Sequence, residues 1–108
     1  MISVTHFRAA ELAFAEQARA ALEVLATRPG YLRGSVGRST DDPVAWVLVS
    51  EWESVGAYRR ALGAYDVKMQ AIPLLAQAED RDSSFEQLVE VRAGGTALMR
   101  GSDRAPDA

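Results

Sequence analysis

The 108-residue chain contains no cysteine and a single histidine, His6. The first absence excludes disulfides, thiolate catalysis, iron–sulfur clusters and cysteine-based zinc sites, and the second excludes a metal site with several histidines from one chain. Basic residues are also too few for a nucleic-acid surface, because 12 lysines and arginines stand against 15 aspartates and glutamates. The net charge of −3 therefore argues against nucleic acid as a partner.

Long apolar runs are missing as well. No segment approaches 18 uninterrupted apolar residues, and residues 1–8 lack the basic start and long apolar run of a signal peptide. Hydrophobic residues nevertheless make up 48% of the chain and charged residues 25%, which is the usual balance of a globular domain. We expect one cytoplasmic domain with a hydrophobic core and no contact with a membrane.

Two kinds of hydrophobic periodicity alternate along the chain, one typical of strands and one typical of helices. The predicted segments are a strand at 2–8, a helix at 9–28, strands at 31–40 and 44–49, a helical region at 55–76 and a strand at 85–92. Pro29-Gly30 is placed to end the first helix, and Ser54 to cap the second helical region. Pro73 is placed to kink or restart that region.

The order β-α-β-β-α-β is that of an α+β, ferredoxin-like fold, with a four-stranded antiparallel sheet and both helices on one face. The run Val44–Val49 is apolar on both of its faces, so the sheet face without helices should also be buried. We therefore expect a homodimer that packs the two sheets face to face. The domain should span 1–92, and 93–108 should form a flexible tail or wrap a partner.

Only a few residues are candidates for chemistry, since phosphate-binding loops, nucleophile elbows and metalloprotease motifs are absent from the sequence. His6 is able to move protons near neutral pH, or it is a hydrogen-bonded structural histidine of the first strand. Even spacing places Trp46 and Trp52 on one strand face, either as an aromatic wall or as core. Tyr58 and Tyr65, seven apart, share a helical stripe that lines the same pocket or packs.

Three pieces of the sequence resemble the antibiotic biosynthesis monooxygenase (ABM) family: Pro-Gly-Tyr-Leu at 29–32, Ser-Glu-Trp-Glu-Ser at 50–54, and Ala-Tyr-Arg at 57–59. The resemblance spans 2–92 and implies a dimeric α/β barrel with a ligand cavity between helices and sheet. Some members resemble oxygenases without metal or flavin, in which a deprotonated aromatic substrate itself reduces dioxygen. Others degrade haem.

The resemblance implies a cofactor-independent monooxygenase that acts on a small aromatic or quinol-like compound. The candidate catalytic residues are His6 as base, Tyr58 as donor and Arg33 as holder of the oxyanion. The candidate ligand-binding residues are Trp46, Ser50, Tyr65 and Met69. No metal and no cofactor are expected. Haem degradation is not expected, because the chain has no asparagine and the haem-binding histidine of the family falls near Met69 or Gln70. The alternatives are a non-catalytic dimer that binds a small ligand or haem, and a dimer whose cavity is packed shut.

Overall fold

The computed structural model describes residues 1–102. The elements are β1 Ile2–Arg8, α1 Ala13–Leu25, β2 Tyr31–Arg38, β3 Ala45–Trp52, α2 Val55–Leu62, α3 Tyr65–Gln70, α4 Ile72–Leu75, β4 Ser84–Phe85, β5 Val89–Glu90 and β6 Leu98–Met99. The main sheet has the order β2-β3-β1-β4, and its pairings are antiparallel. This order confirms the predicted α+β, ferredoxin-like fold. None of the helices in the described part of the chain is long and apolar enough to cross a membrane.

The two faces of the sheet have different surroundings. Strand alternation directs every second residue of β1 and β3 toward the helices, where these side chains are buried. The buried set comprises Ser3, Thr5, Phe7, Trp46, Leu48, Ser50 and Trp52. The intervening residues lie on the face without helices, called here the open face, and in one chain they are only half-buried. Its apolar members include Ile2, Val4, Val47 and Val49.

The helix α1 covers the sheet with the apolar stripe that the sequence predicted. Phe14, Ala18, Ala21 and Leu25 are buried, whereas Leu22 of the same stripe is half-buried. The Phe14 ring meets the indole of Trp46 on β3 edge-on, with centroids 5.3 Å apart. This aromatic contact holds the N-terminal half of α1 against β3.

The second helical region is three short helices rather than one helix with a kink. Ser54 caps α2 as predicted, since its Oγ accepts a hydrogen bond of 3.0 Å from the Ala57 amide. The helix ends at Gly63, and the extended backbone of Ala64 separates α2 from α3. Pro73 lies in the first turn of α4, where a proline without an amide hydrogen is tolerated.

The predicted strand 85–92 is wrong in its extent. Only Ser84 and Phe85 pair with β1, and Val89–Glu90 instead pairs with Leu98–Met99 as a separate two-stranded sheet. A turn containing Gly94, with φ of +71°, brings these two strands together. The expectation of no regular structure after residue 92 is therefore also wrong at β6. Residues 103–108 of the predicted tail lie outside the described residues, and the domain boundary at 92 stays a prediction.

Candidate functional site

A concave space of about 170 Å³ lies between the outer edge of β1 and the helices α2 and α4. Its walls include Thr5, His6, Tyr58, Leu62 and Leu75, and we call it the His6–Tyr58 pocket. Leu62, Ile72, Leu75 and Ala78 form the apolar part of its wall, and Thr5, His6, Tyr58, Glu79, Arg81 and Ser83 supply polar groups. Two of the three predicted catalytic residues, His6 and Tyr58, are thus wall residues of one space at the edge of β1, although Tyr58 packs on the helix-covered face of the sheet and the His6 side chain lies on the other face.

A segment after α4 closes this pocket along the sheet edge. The Glu79 amide donates a hydrogen bond of 2.8 Å to the His6 carbonyl, and the Val4 amide donates one of 2.7 Å to the Ser83 carbonyl. These two bonds hold residues 79–83 beside β1 and place Arg81 on the wall of the pocket. The Arg81 guanidinium lies 3.5 Å from the Glu79 carboxylate and is half exposed.

Tyr58 is fixed from two sides. Its ring packs on the indole of Trp52, with centroids 5.4 Å apart, and its hydroxyl accepts a hydrogen bond of 3.2 Å from Ser3 Oγ. The side chain is only 8% exposed. Because Ser3 supplies the proton of that hydrogen bond, the phenol keeps its own proton for an acceptor in the pocket.

Ser50, a predicted ligand-binding residue, lies beneath this aromatic pair. Its Oγ accepts a hydrogen bond of 2.8 Å from the Trp52 indole, and the residue is 1% exposed. The hydroxyl satisfies a buried indole N–H and so stabilises the position of Trp52.

The alternation of β1 puts the His6 side chain on the open face, across the sheet from Thr5. A second space of about 420 Å³ lies there, and its walls include His6, Arg8, Ser39, Val47 and Arg81. We call it the open-face depression. His6 and Arg81 line both spaces, so the edge of β1 is where the two meet.

Sequence comparison identifies the family of this chain. Residues 1–68 match the family model described as antibiotic biosynthesis monooxygenase. The chain belongs to the ABM family. The resemblance drawn from the sequence is confirmed, and the match covers more than half of the chain. No curated protein matches the ABM chain in sequence.

Several solved structures share the fold of this chain. SnoaB, a cofactor-independent oxygenase from Streptomyces nogalater, is 24% identical, with a TM-score of 0.59 over 72% of this chain and 81% of its own. A single-residue variant of SnoaB is 20% identical over 96% and 93%, with a TM-score of 0.62. A Pseudomonas aeruginosa protein is 13% identical over 94% and 93%, with a TM-score of 0.59. At these identities the likeness establishes the fold.

The third predicted catalytic residue of this ABM protein, Arg33, lies away from His6. Arg33 is opposite Glu51 on β3 and forms an ion pair with it, whereas His6 is opposite Val47. Four residues of strand separate the two positions, which is about 13 Å along the strand direction. The expectation that Arg33 holds an oxyanion beside His6 is therefore not met by this geometry.

The predicted stripe of Tyr58 and Tyr65 is wrong, because α2 ends before Tyr65. The break at Ala64 resets the helical rotation, and in α3 the buried residue is Val67. Tyr65 is 75% exposed and Met69 60% exposed, so neither lines the His6–Tyr58 pocket. A binding role for Tyr65 or Met69 would therefore require a second molecule that covers these exposed side chains.

Trp46, the remaining predicted wall, is a core residue that also borders the open-face depression. Its indole N–H donates a hydrogen bond of 3.1 Å to the Ala9 carbonyl, and the Arg38 guanidinium lies 5.4 Å from its ring. That distance is within the range of a cation–π contact.

The sequence did not single out Arg81, because it follows α4 in a stretch with no periodicity. Its only signal was the alternation of charge in Asp80-Arg81-Asp82. Across residues 1–102, no group of three or more histidine or acidic side chains is arranged to hold a metal ion.

Proposed function

We propose that this ABM protein is a cofactor-independent monooxygenase that acts on a small aromatic, quinol-like compound. The observation that carries the proposal is that His6 and Tyr58 are both wall residues of one pocket at the outer edge of β1 in a member of this family. A base and a hydrogen-bond donor at one space are what proton abstraction from such a substrate needs.

The proposed reaction takes its electrons from the substrate. His6 removes a proton from the activated CH₂ group of an anthrone-type compound, and Tyr58 donates a hydrogen bond to the oxygen on which the charge collects. The carbanion transfers its electrons to dioxygen and forms a C–O bond, which yields a hydroperoxide after protonation by the protonated His6. Loss of the second C–H proton to His6 with cleavage of the O–O bond gives the ketone and water. One dioxygen supplies the ketone oxygen and the water oxygen, so no other reductant is required.

Arg81 takes the role that the sequence gave to Arg33. Arg81 is a wall residue of both spaces that His6 lines, and its half-exposed guanidinium also contacts the Glu79 carboxylate. A cation at this position lowers the free energy of the substrate anion and of the peroxide formed from it.

The proposed assembly is a homodimer formed through the open face. Ile2, Val4, Val47 and Val49 form a continuous apolar patch across two paired strands, and Phe85 extends it at the sheet edge. Burial of such a patch against a second copy removes apolar surface from water. A partner sheet would also roof the open-face depression and exclude water from His6.

The experiment is dioxygen uptake with anthrone as the substrate, measured for the wild type and for His6→Ala. We expect uptake by the wild type and its loss in the variant, while Arg59→Gln, on the exposed side of α2, retains it. Equal uptake by wild type and His6→Ala would reject His6 as the base. Binding of anthrone without any uptake would support the non-catalytic alternative, and a haemin titration without a Soret shift would exclude its haem version.

A further inference from the structure

A separate cleft of about 370 Å³ lies on the other flank of α1, between this helix and β2. Its walls are formed mainly by Ala15, Leu22, Ala26, Tyr31 and Val36. We call it the α1–β2 cleft. It shares no wall residue with the His6–Tyr58 pocket or with the open-face depression, and its volume lies within the range of small-molecule sites.

A β-bulge directs Tyr31 into this cleft. Tyr31 is opposite Trp52 in the β2–β3 register, but Arg33, two residues later, is opposite Glu51. The extra residue, Leu32, reverses the alternation, so that Tyr31 lies on the helix-covered face while Arg33 lies on the open face. The Tyr31 ring then meets the Trp52 indole edge-on, with centroids 5.3 Å apart.

Gly34 provides the room for the hydroxyl end of Tyr31. A Cβ atom at position 34 would lie 2.6 Å from Tyr31 Oη, 2.8 Å from Leu22 Cδ1 and 2.9 Å from the Val49 carbonyl oxygen. Contacts this short would displace the tyrosine or the helix above it. The position of the Tyr31 hydroxyl therefore depends on the absence of a side chain at residue 34.

The Tyr31 hydroxyl has no hydrogen-bond partner among the described residues, although burial raises the pKa of this phenol above its ordinary value. A hydroxyl without a protein acceptor keeps its proton available for a hydrogen bond to a ligand. Among the apolar and aromatic wall residues in the described part of the chain, Tyr31 alone carries a polar side-chain group.

The rim of the cleft does not favour an anion. Arg19 is its only cationic wall residue in the described chain, and this guanidinium forms ion pairs with both Glu16 and Glu23. The Glu23 contact is 2.8 Å long. Since these carboxylates neutralise the arginine, the rim offers no free positive charge to a carboxylate or phosphate.

We propose that the α1–β2 cleft is a second binding site, which takes a neutral, planar, apolar molecule carrying one hydrogen-bond acceptor that receives the Tyr31 Oη proton. The apolar walls suit the body of such a molecule, and the unpartnered hydroxyl suits its acceptor. This site is independent of the proposed oxygenase pocket, so it stands if His6 is not a base.

The test uses coumarin, a neutral planar lactone, titrated into the intact protein while methyl and amide resonances are followed by NMR. We expect shifts at the Leu22 and Val36 methyl groups and at the Gly34 amide. Tyr31→Phe should weaken coumarin binding by about 3- to 10-fold, the loss expected for one hydrogen bond. Tyr65→Phe is the matched control, because it removes a hydroxyl that is exposed to solvent, and it should leave the affinity unchanged.

A third variant, Ala15→Phe, fills the cleft from the half-buried side of α1 and should abolish the shifts at Leu22 and Val36. Shifts confined to Thr5 and Leu62 would place coumarin in the other pocket and overturn the proposal. An equal affinity of the wild type and Tyr31→Phe, or no shift at Leu22 and Val36 up to the solubility limit of coumarin, would overturn it as well.

Discussion

Gly30 lies so close to Ala57 that a Cβ atom at position 30 would be 2.5 Å from the Ala57 Cβ. The φ angle of Gly30 is also +90°, a conformation that other residues adopt only with strain. The turn after α1 is therefore packed directly onto α2, and the Pro-Gly of the family resemblance has a physical reason. Both the backbone and the contact require glycine here.

Gly30→Ala should lower the free energy of unfolding by about 3 kcal/mol, the sum of backbone strain and overpacking. Gly94→Ala is the matched control, because Gly94 also has a positive φ but no atom lies within 4 Å of its Cβ position. We expect this control to lose only about 1 kcal/mol. Urea unfolding measures both values, and equal losses would show that the contact with Ala57 contributes nothing.

Variants of the two partners of the Ser3–Tyr58 hydrogen bond should distinguish an effect on stability from an effect on catalysis. Ser3→Ala and Tyr58→Phe each remove one partner of a buried pair, and each should cost about 1 kcal/mol of stability. Only Tyr58→Phe removes the phenol proton that we propose the substrate accepts, so only this variant should lower kcat for anthrone. A similar fall in kcat for Ser3→Ala would assign the effect to the packing of the ring.

Tyr31 should titrate later than an ordinary tyrosine, because burial raises its pKa. The folded-state pKa then lies above the unfolded value of about 10. The stability that the neutral phenol provides is fully present below the unfolded pKa and is lost as the pH rises through the folded pKa. Alkaline titration of tyrosinate absorbance should lose a phase that lies above the ordinary tyrosine range in Tyr31→Phe and keep it in Tyr65→Phe. Loss of the same phase in both variants would contradict the assignment.

The two arginines that compete for the oxyanion can be told apart by one pair of variants. Arg81→Gln should lower kcat with anthrone by about 10-fold or more, because it removes a charged hydrogen-bond donor from the anion that develops in the reaction. Arg33→Gln should leave kcat unchanged, since it removes only a surface ion pair with Glu51. The reverse result would restore the role that the sequence suggested for Arg33.

The proposed dimer predicts a change of mass on a single substitution. Val49→Lys places a charge at the centre of the open face and should convert a dimer into a monomer in light scattering. Leu12→Lys is the control, because Leu12 is an exposed leucine before α1, away from the sheet. A wild-type protein that is monomeric at micromolar concentration would reject the open face as the interface.

The fold was predictable because each long element has a clear period in the sequence. The strand 2–8, the stripe of α1 and the cap at Ser54 depend on neighbouring residues alone, and the structure has all three. The predictions are wrong where contacts between residues that are distant in sequence determine the structure. The apolar residues after Phe85 have the period of a strand, but their pairing partner is β6 rather than β1.

The candidate site was predictable only in part. The sequence pattern placed His6 on the first strand and Tyr58 on the second helical region, and in the fold both are wall residues of one pocket. The register that separates Arg33 from His6, and the two backbone hydrogen bonds that bring Arg81 to the pocket, cannot be inferred from local sequence. The role of each of these residues in catalysis stays a prediction.

Trp52 contacts the rings of both Tyr31 and Tyr58. One indole therefore supports a wall residue of the α1–β2 cleft and a wall residue of the His6–Tyr58 pocket. A smaller residue at position 52 would remove the surface on which both tyrosine rings pack, so a single substitution there would alter both spaces together.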